Sequence, residues 1–305
     1  MLRRLLAIAV SLVASTLFVA PRRWHERVER ELAAGALSTA TAAGLVQHGE
    51  SGQGTPVLVF HGTPGGSDQG VAAFSGYRGI RVIAPSRPGY LGTPVATGRT
   101  PVEQADAAMA LLDALSVPEA IVVGISGGGP AAIQFTLRHA THVRSLLLLA
   151  AVTAPMDVPI DNLLRLPAST EIAGWLRDLL VERAPRLLFP AAWASTPEAR
   201  RRSQAVARAS FPLHSRREGV INDRDQLAGM PNLLLSDITV RTLLIHATGD
   251  KHVPHVQSVR AAERIADAEL LTIEGGRHES ALLAPEATAA IEGFLAERLV
   301  NRLAA

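Results

Sequence analysis

The chain has no cysteine among its 305 residues. That absence excludes disulfides, thiolate metal sites and a cysteine nucleophile, and it leaves the redox compartment open. Lysine is almost missing too: of 30 basic residues only Lys251 is a lysine, an arginine bias that reads as compositional drift. Charge of one sign is not in excess. Thirty basic side chains against 28 acidic ones leave a formal net charge of +2, too little for a nucleic-acid footprint. Gly127-Gly128-Gly129 ends in Pro130 with no Lys-Ser or Lys-Thr behind it, so it is not a phosphate loop. His246, His252 and His255 crowd one stretch, but they lack the spacing and the partners of a zinc site.

What is present is apolar. Hydrophobic residues make up 48% and charged residues 19%, the balance of a packed globular protein. The length fits one large domain, or a core domain with an insertion. The N-terminus is of another kind. Arg3 and Arg4 precede sixteen apolar or small residues, Leu5 to Ala20, and Arg22, Arg23 and Arg27 follow. A basic start and an apolar run fit a membrane anchor or a signal peptide, although the run falls short of the roughly 20 residues that span a bilayer. The expectation is an uncleaved anchor over residues 1–23. Membrane association would run through residues 5–20, and a transmembrane helix would set a membrane localisation. An exported or a cytoplasmic protein is the alternative.

The rest reads as alternating strands and helices. Trp24 to Gly35 is charged and predicts a surface helix. Leu37–Thr41 and Leu45–Glu50 predict a hairpin through Ala42-Ala43-Gly44. Pro56–Phe60, Ile80–Ala84, Ala120–Val123, Val143–Ala150, Val240–His246 and Glu269–Ile273 are further apolar strands. Helices are predicted over Asp68–Tyr77, over Pro101–Leu115 with Thr100 as cap, and over Ser280–Leu303. This order predicts an α/β fold, with a mostly parallel eight-stranded sheet covered by helices on both faces.

Gly124-Ile125-Ser126-Gly127-Gly128 follows a buried strand and precedes a helix-forming run. In that context Gly-x-Ser-x-Gly holds a serine in a sharp turn with its hydroxyl exposed. Ligands of parallel sheets bind at the carboxyl ends of the strands. His61, Ser126, Asp250 and His278 each come after a strand, so they share one edge. Serine, aspartate and histidine follow one another in the order this sheet type uses. A serine hydroxyl needs a base, and His278 is the candidate. Asp250 would hold its tautomer and stabilise the imidazolium. Asp223, Asp225 and Asp237 are rival acids, but none follows a buried strand. His61 ends a strand and reads as structural.

With these segments in order, the chain from about Ala36 onward resembles the α/β-hydrolase fold family. The carrying residues are His61-Gly62-Thr63-Pro64-Gly65-Gly66, the Ser126 turn, Thr248-Gly249-Asp250-Lys251-His252-Val253-Pro254 and Gly275-Gly276-Arg277-His278. The resemblance implies an oxyanion hole from the backbone amides of Thr63 and Gly127. Apart from the resemblance, the Thr63 hydroxyl is a candidate third donor. It implies a core of residues 24–152 and 237–305 and a helical lid over residues 153–236. Trp175 and Trp193 are its candidate substrate contacts, with Phe211 and Phe189 nearby. Arg200-Arg201-Arg202 reads as a solvated helix face. Ser126 in place of an aspartate argues against epoxide hydrolases and haloalkane dehalogenases. The segment at Thr63 is similar to that of proline iminopeptidases, but a threonine stands where they have glycine. The implied activity is a serine hydrolase of carboxylesterase or lipase type. It would act on a small ester-like molecule, with no metal, no organic cofactor and no nucleic-acid partner. Alternatives are a carbon–carbon bond hydrolase, an iminopeptidase-like peptidase and a non-catalytic ligand-binding member of the fold.

Overall fold

The apolar runs pair into one sheet. The computed structural model describes residues 19–158, 167–184 and 196–300. Its strands are β1 (Leu37–Thr41), β2 (Gly44–Gly52), β3 (Thr55–Phe60), β4 (Ile80–Pro85), β5 (Ala120–Ile125), β6 (Val143–Leu149), β7 (Thr242–Ala247) and β8 (Ala268–Ile273). They form a single eight-stranded sheet in the order β1-β2-β4-β3-β5-β6-β7-β8. β1 pairs with β2 and β2 with β4 antiparallel, and every other neighbouring pair is parallel. The strands that were expected to be apolar on both faces occupy the middle. β5 is buried at every residue, as it must be when helices cover both sides.

Strand periodicity divides the core in two. Val57, Val59, Ile121 and Val123 face one layer, with Phe74, Ile291 and Phe294 beyond. Leu58, Phe60 and Val122 face the other, with Leu111, Ile133 and Ala261 beyond. Alternate side chains of a strand point to opposite faces, so one strand feeds both layers. The covering helices are α2 (Ser67–Ala73), α3 (Pro101–Ala114), α4 (Gly129–Arg138), α8 (Val256–Arg264), α9 (Ser280–Leu283) and α10 (Pro285–Val300). α3 starts where the sequence says it should. The Thr100 hydroxyl accepts from the Glu103 amide, and the Glu103 carboxylate accepts from the Thr100 amide, a reciprocal cap. The helix expected from Ser280 onward is divided in two. Ala284 is extended, at φ −65° and ψ 147°, as a residue before proline prefers, and Pro285 then starts α10. α2 stops at Ala73 instead of Tyr77, and residues 301–303 lie outside the described residues.

Between β6 and β7 the chain inserts α5 (Pro167–Arg183), α6 (Pro197–Arg208) and α7 (Arg217–Gly229). Ahead of the sheet lies α1 (Ala20–Ala34). Its indole at Trp24 is buried and donates to Asp178 Oδ2 of α5 at 2.8 Å, and Arg27 donates to the same oxygen at 3.1 Å.

The described residues run against the expected membrane anchor. Residues 1–18, which hold most of the expected anchor, lie outside the described residues. Among the described residues no helix is long and apolar enough to cross a membrane. The physical reason is visible in α1, which carries seven charged side chains and spends its aromatic face on α5. The transmembrane-helix and membrane-localisation expectations are therefore withdrawn.

Candidate active site

β5 delivers Ser126 to the sheet edge. The chain turns through Ser126–Gly128 and enters α4 at once. Ser126 itself has φ 49°, a left-handed conformation that costs a non-glycine residue on the order of 1 kcal/mol or more. Two glycines permit the turn. A side chain at Gly128 would run into the carbonyl of Phe60, and one at Gly127 into the Thr63 hydroxyl. The turn is thus pressed against the end of β3, which brings the Gly127 and Thr63 segments together.

Asp250 and His278 meet from the ends of β7 and β8. His278 Nδ1 lies 2.6 Å from Asp250 Oδ2. Because a carboxylate only accepts, Nδ1 carries the proton and Nε2 is left to accept one. Asp250 has further donors. Its Oδ1 takes the amides of His252 at 2.7 Å and Val253 at 3.0 Å, and its Oδ2 also takes His246 Nε2 at 3.0 Å. Burial works against the Asp250 charge, but the hydrogen bonds from His246 and then His278 outweigh it. The carboxyl is held far below the usual carboxylate range.

His246 was set aside on sequence, yet it completes a buried chain. Its Nε2 faces two acceptors, Asp250 Oδ2 and the Val253 carbonyl at 3.1 Å. The proton therefore sits on Nε2, and Nδ1 accepts from the Ser258 hydroxyl at 2.6 Å. Ser258, His246, Asp250 and His278 form one line of hydrogen bonds. His246 and the Asp250 side chain are both fully buried.

The Thr63 segment is held from the other side. Asp223 of α7 is buried and receives Arg87 twice, at 2.7 and 2.6 Å, and the Tyr90 hydroxyl at 2.5 Å. The Thr63 hydroxyl also donates to Asp223 and accepts from Arg87 at 3.1 Å. Its proton is spent, so it is not free to serve as the third donor that its residue type suggested. Asp223 likewise has no role beside His278, and Asp225 pairs with Arg224 at the surface. His61 is neutral: burial and then the Arg87 charge push its pKa well down. It accepts the Arg87 amide at Nε2, at 2.9 Å, and donates from Nδ1 to the Gly62 carbonyl at 2.8 Å.

A cavity of about 410 Å³ opens onto these groups. Gly62, Thr63, Ser126, Gly127 and His278 line it, among apolar walls from Leu149, Val152, Met156, Val206, Leu227 and Leu282. The inserted helices contribute Arg177, Val206, Ala207 and Leu227. Trp175 is half-exposed and does not line it, and Trp193 and Phe189 lie outside the described residues. Phe211 lines a separate cavity of about 570 Å³ between α1 and the insertion. Among the described residues, His25, Glu29 and His214 bring three ligand atoms within 4.8 Å of one another. None of them lines the Ser126 cavity.

Known proteins match this arrangement over most of its length. The model of a family described as the alpha/beta hydrolase family matches residues 57–291. The fold is similar to that of an alpha/beta hydrolase fold protein from Nakamurella multipartita, with a TM-score of 0.72 and 32% identity, covering 87% of this chain and 98% of that one. The sequence is 29% identical to the uncharacterized hydrolase YcgS of Bacillus subtilis, over 77% of this chain and 88% of that protein. It is 26% identical to a 2-hydroxymuconate semialdehyde hydrolase of Pseudomonas putida, over 81% of this chain and 89% of that protein.

Proposed function

Since this chain belongs to the alpha/beta hydrolase family, we propose that it is a serine hydrolase that cleaves a small ester-like substrate through an acyl-enzyme. The observation that carries the reading is the 2.6 Å bond between His278 Nδ1 and Asp250, on the cavity that Ser126 also lines. In this reading Ser126 Oγ attacks the acyl carbon while His278 Nε2 takes its proton. Asp250 stabilises the imidazolium that results. The amides of Gly127 and Thr63 receive the oxyanion, each donor contributing on the order of 3 kcal/mol to the transition state. His278 then protonates the leaving alcohol. Water, deprotonated by the same imidazole, frees the acid and restores Ser126.

The insertion over residues 153–236 serves as the lid of this site, on a core of residues 24–152 and 237–305. Its apolar contribution favours an apolar acyl or alkyl group next to the ester. A carbon–carbon bond hydrolase is the second reading, favoured by the similarity to an enzyme named 2-hydroxymuconate semialdehyde hydrolase. The test is a substrate panel of nitrophenyl esters and vinylogous diketo acids, run on wild type and Ser126→Ala. Ester turnover that disappears in the variant supports the first reading. Turnover of the diketo acids alone would replace it by the second.

A further inference from the structure

We propose that Arg177 binds a carboxylate carried by the acyl part of the substrate, so that the preferred substrates are mono-anionic half-esters. The proposal rests on the serine-hydrolase reading above and adds to it the chemistry of the acyl group. Arg177 sits on α5 at the boundary of two cavities, lining both the Ser126 cavity and the one of about 570 Å³ beside it. It is half-buried, and its Nε donates to the Ala207 carbonyl at 3.2 Å. Its guanidinium carbon lies 5.9 Å from the centre of the Phe211 ring. Beyond that single bond, its two terminal nitrogens have no hydrogen-bond partner among the described residues.

Two other buried arginines of this region, unlike Arg202 with its Leu282 and Thr288 partners, meet carboxylates. Arg87 meets Asp223 at 2.6 Å, and Arg216 meets Asp68 at 2.8 Å. For Arg177, no carboxylate among the described residues comes within ion-pair distance. Burial pulls its pKa down, and only the more distant Glu279 works the other way. A guanidinium that is partly desolvated and has no ion-pair partner keeps two parallel donors, the geometry a carboxylate accepts.

Its position is also fixed. The next residue, Asp178, receives Trp24, Arg27 and Arg208, which ties α5 to α1 and α6. The anion class follows from the remaining charges. Lys251 also lines the cavity but is exposed to water, and Glu279 lies on the same wall. One desolvated cation beside a carboxylate suits a monoanion and opposes a phosphate dianion.

The test compares nitrophenyl butyrate with nitrophenyl hemisuccinate, hemiglutarate and hemiadipate. Wild type is expected to favour at least one half-ester by tenfold or more in kcat/KM over the neutral ester. Arg177→Met should lower that ratio by at least tenfold, and Lys251→Gln should leave it within twofold. Should Arg177→Met fail to fold, Arg177→Lys, which keeps the charge and loses the fork, should still lower the ratio severalfold. An absent preference in wild type, or a ratio that follows Lys251 instead, overturns the proposal. If no ester is turned over at all, the serine-hydrolase reading fails by itself. The anion site is then read by calorimetric titration of glutarate into Ser126→Ala and into Ser126→Ala with Arg177→Met. Binding to the first and not the second supports it, and binding to neither or to both overturns it.

Discussion

The two sides of the cavity are built by different means. On the sheet side, Ser126, Asp250 and His278 come from loops directly after β5, β7 and β8, and the strands fix where those loops begin. On the insertion side, Asp223 and Arg177 come from helices that the minimal sheet does not need. The sheet side is held by backbone, since two amides fix the Asp250 carboxylate. The insertion side is held by ion pairs between residues far apart in the chain, as between Arg87 and Asp223. In the proposed reading, chemistry belongs to the edge of the sheet, while the insertion holds the Thr63 segment and shapes the substrate.

Substitutions on the two sides should therefore fail differently. Ser126→Ala is expected to lower kcat on a nitrophenyl ester by on the order of 10³-fold or more, with an unchanged melting curve. Asp250→Asn should lower kcat by on the order of 10⁴-fold, because the wrong histidine tautomer is then favoured. A loss of only a few-fold in either would remove the sheet side from the chemistry.

On the insertion side the largest effect should be on stability. Asp223→Ala leaves Arg87 buried without its partner, at a cost of about 3–5 kcal/mol, and denaturant titration reads it. If the midpoint does not move, the insertion does not anchor the core as described.

Acid should act through Asp250. Its folded-state pKa lies far below its unfolded value of about 3.9, so the carboxylate contributes stability above that pH. The contribution is lost progressively as pH falls below about 4. Asp250→Asn should flatten the fall of stability with pH in that range, and an unchanged slope would argue against the hydrogen bonds assigned to it.

His246→Phe sharpens the comparison within the sheet side. It removes one donor from Asp250 and should lower kcat/KM by about tenfold, within the range of losing one oriented partner. His246→Gln, which can still donate, should recover part of that loss. Thr100→Ala provides the smallest effect, about 1 kcal/mol of stability through the lost cap, with activity retained.

Much of the sheet was legible because buried parallel strands are nearly continuous apolar runs. Val57 to Phe60 and Ala120 to Val123 identify themselves, and the glycine and proline residues between them mark the turns. The meeting of Asp250 and His278 was legible for the same reason, since both follow such runs. Asp223 was not. Its partner Arg87 lies 136 residues away, and an aspartate on a helix gives no local sign of burial. The hydroxyl of Thr63 was misjudged because the competitor for its proton comes from that same helix. Trp175 looked like a pocket residue by type, but helix rotation sets which of Gly174, Trp175 and Arg177 faces a cavity, and there the arginine lines it. His246 was hidden by proximity: its neighbours in sequence suggested a histidine cluster, whereas its partners are Ser258 and Asp250.

The most direct measurement is labelling of the folded protein with a fluorophosphonate, followed by peptide mass mapping. The account predicts one adduct, on Ser126, that is lost in His278→Ala. An adduct elsewhere, or none in folded protein, would contradict it.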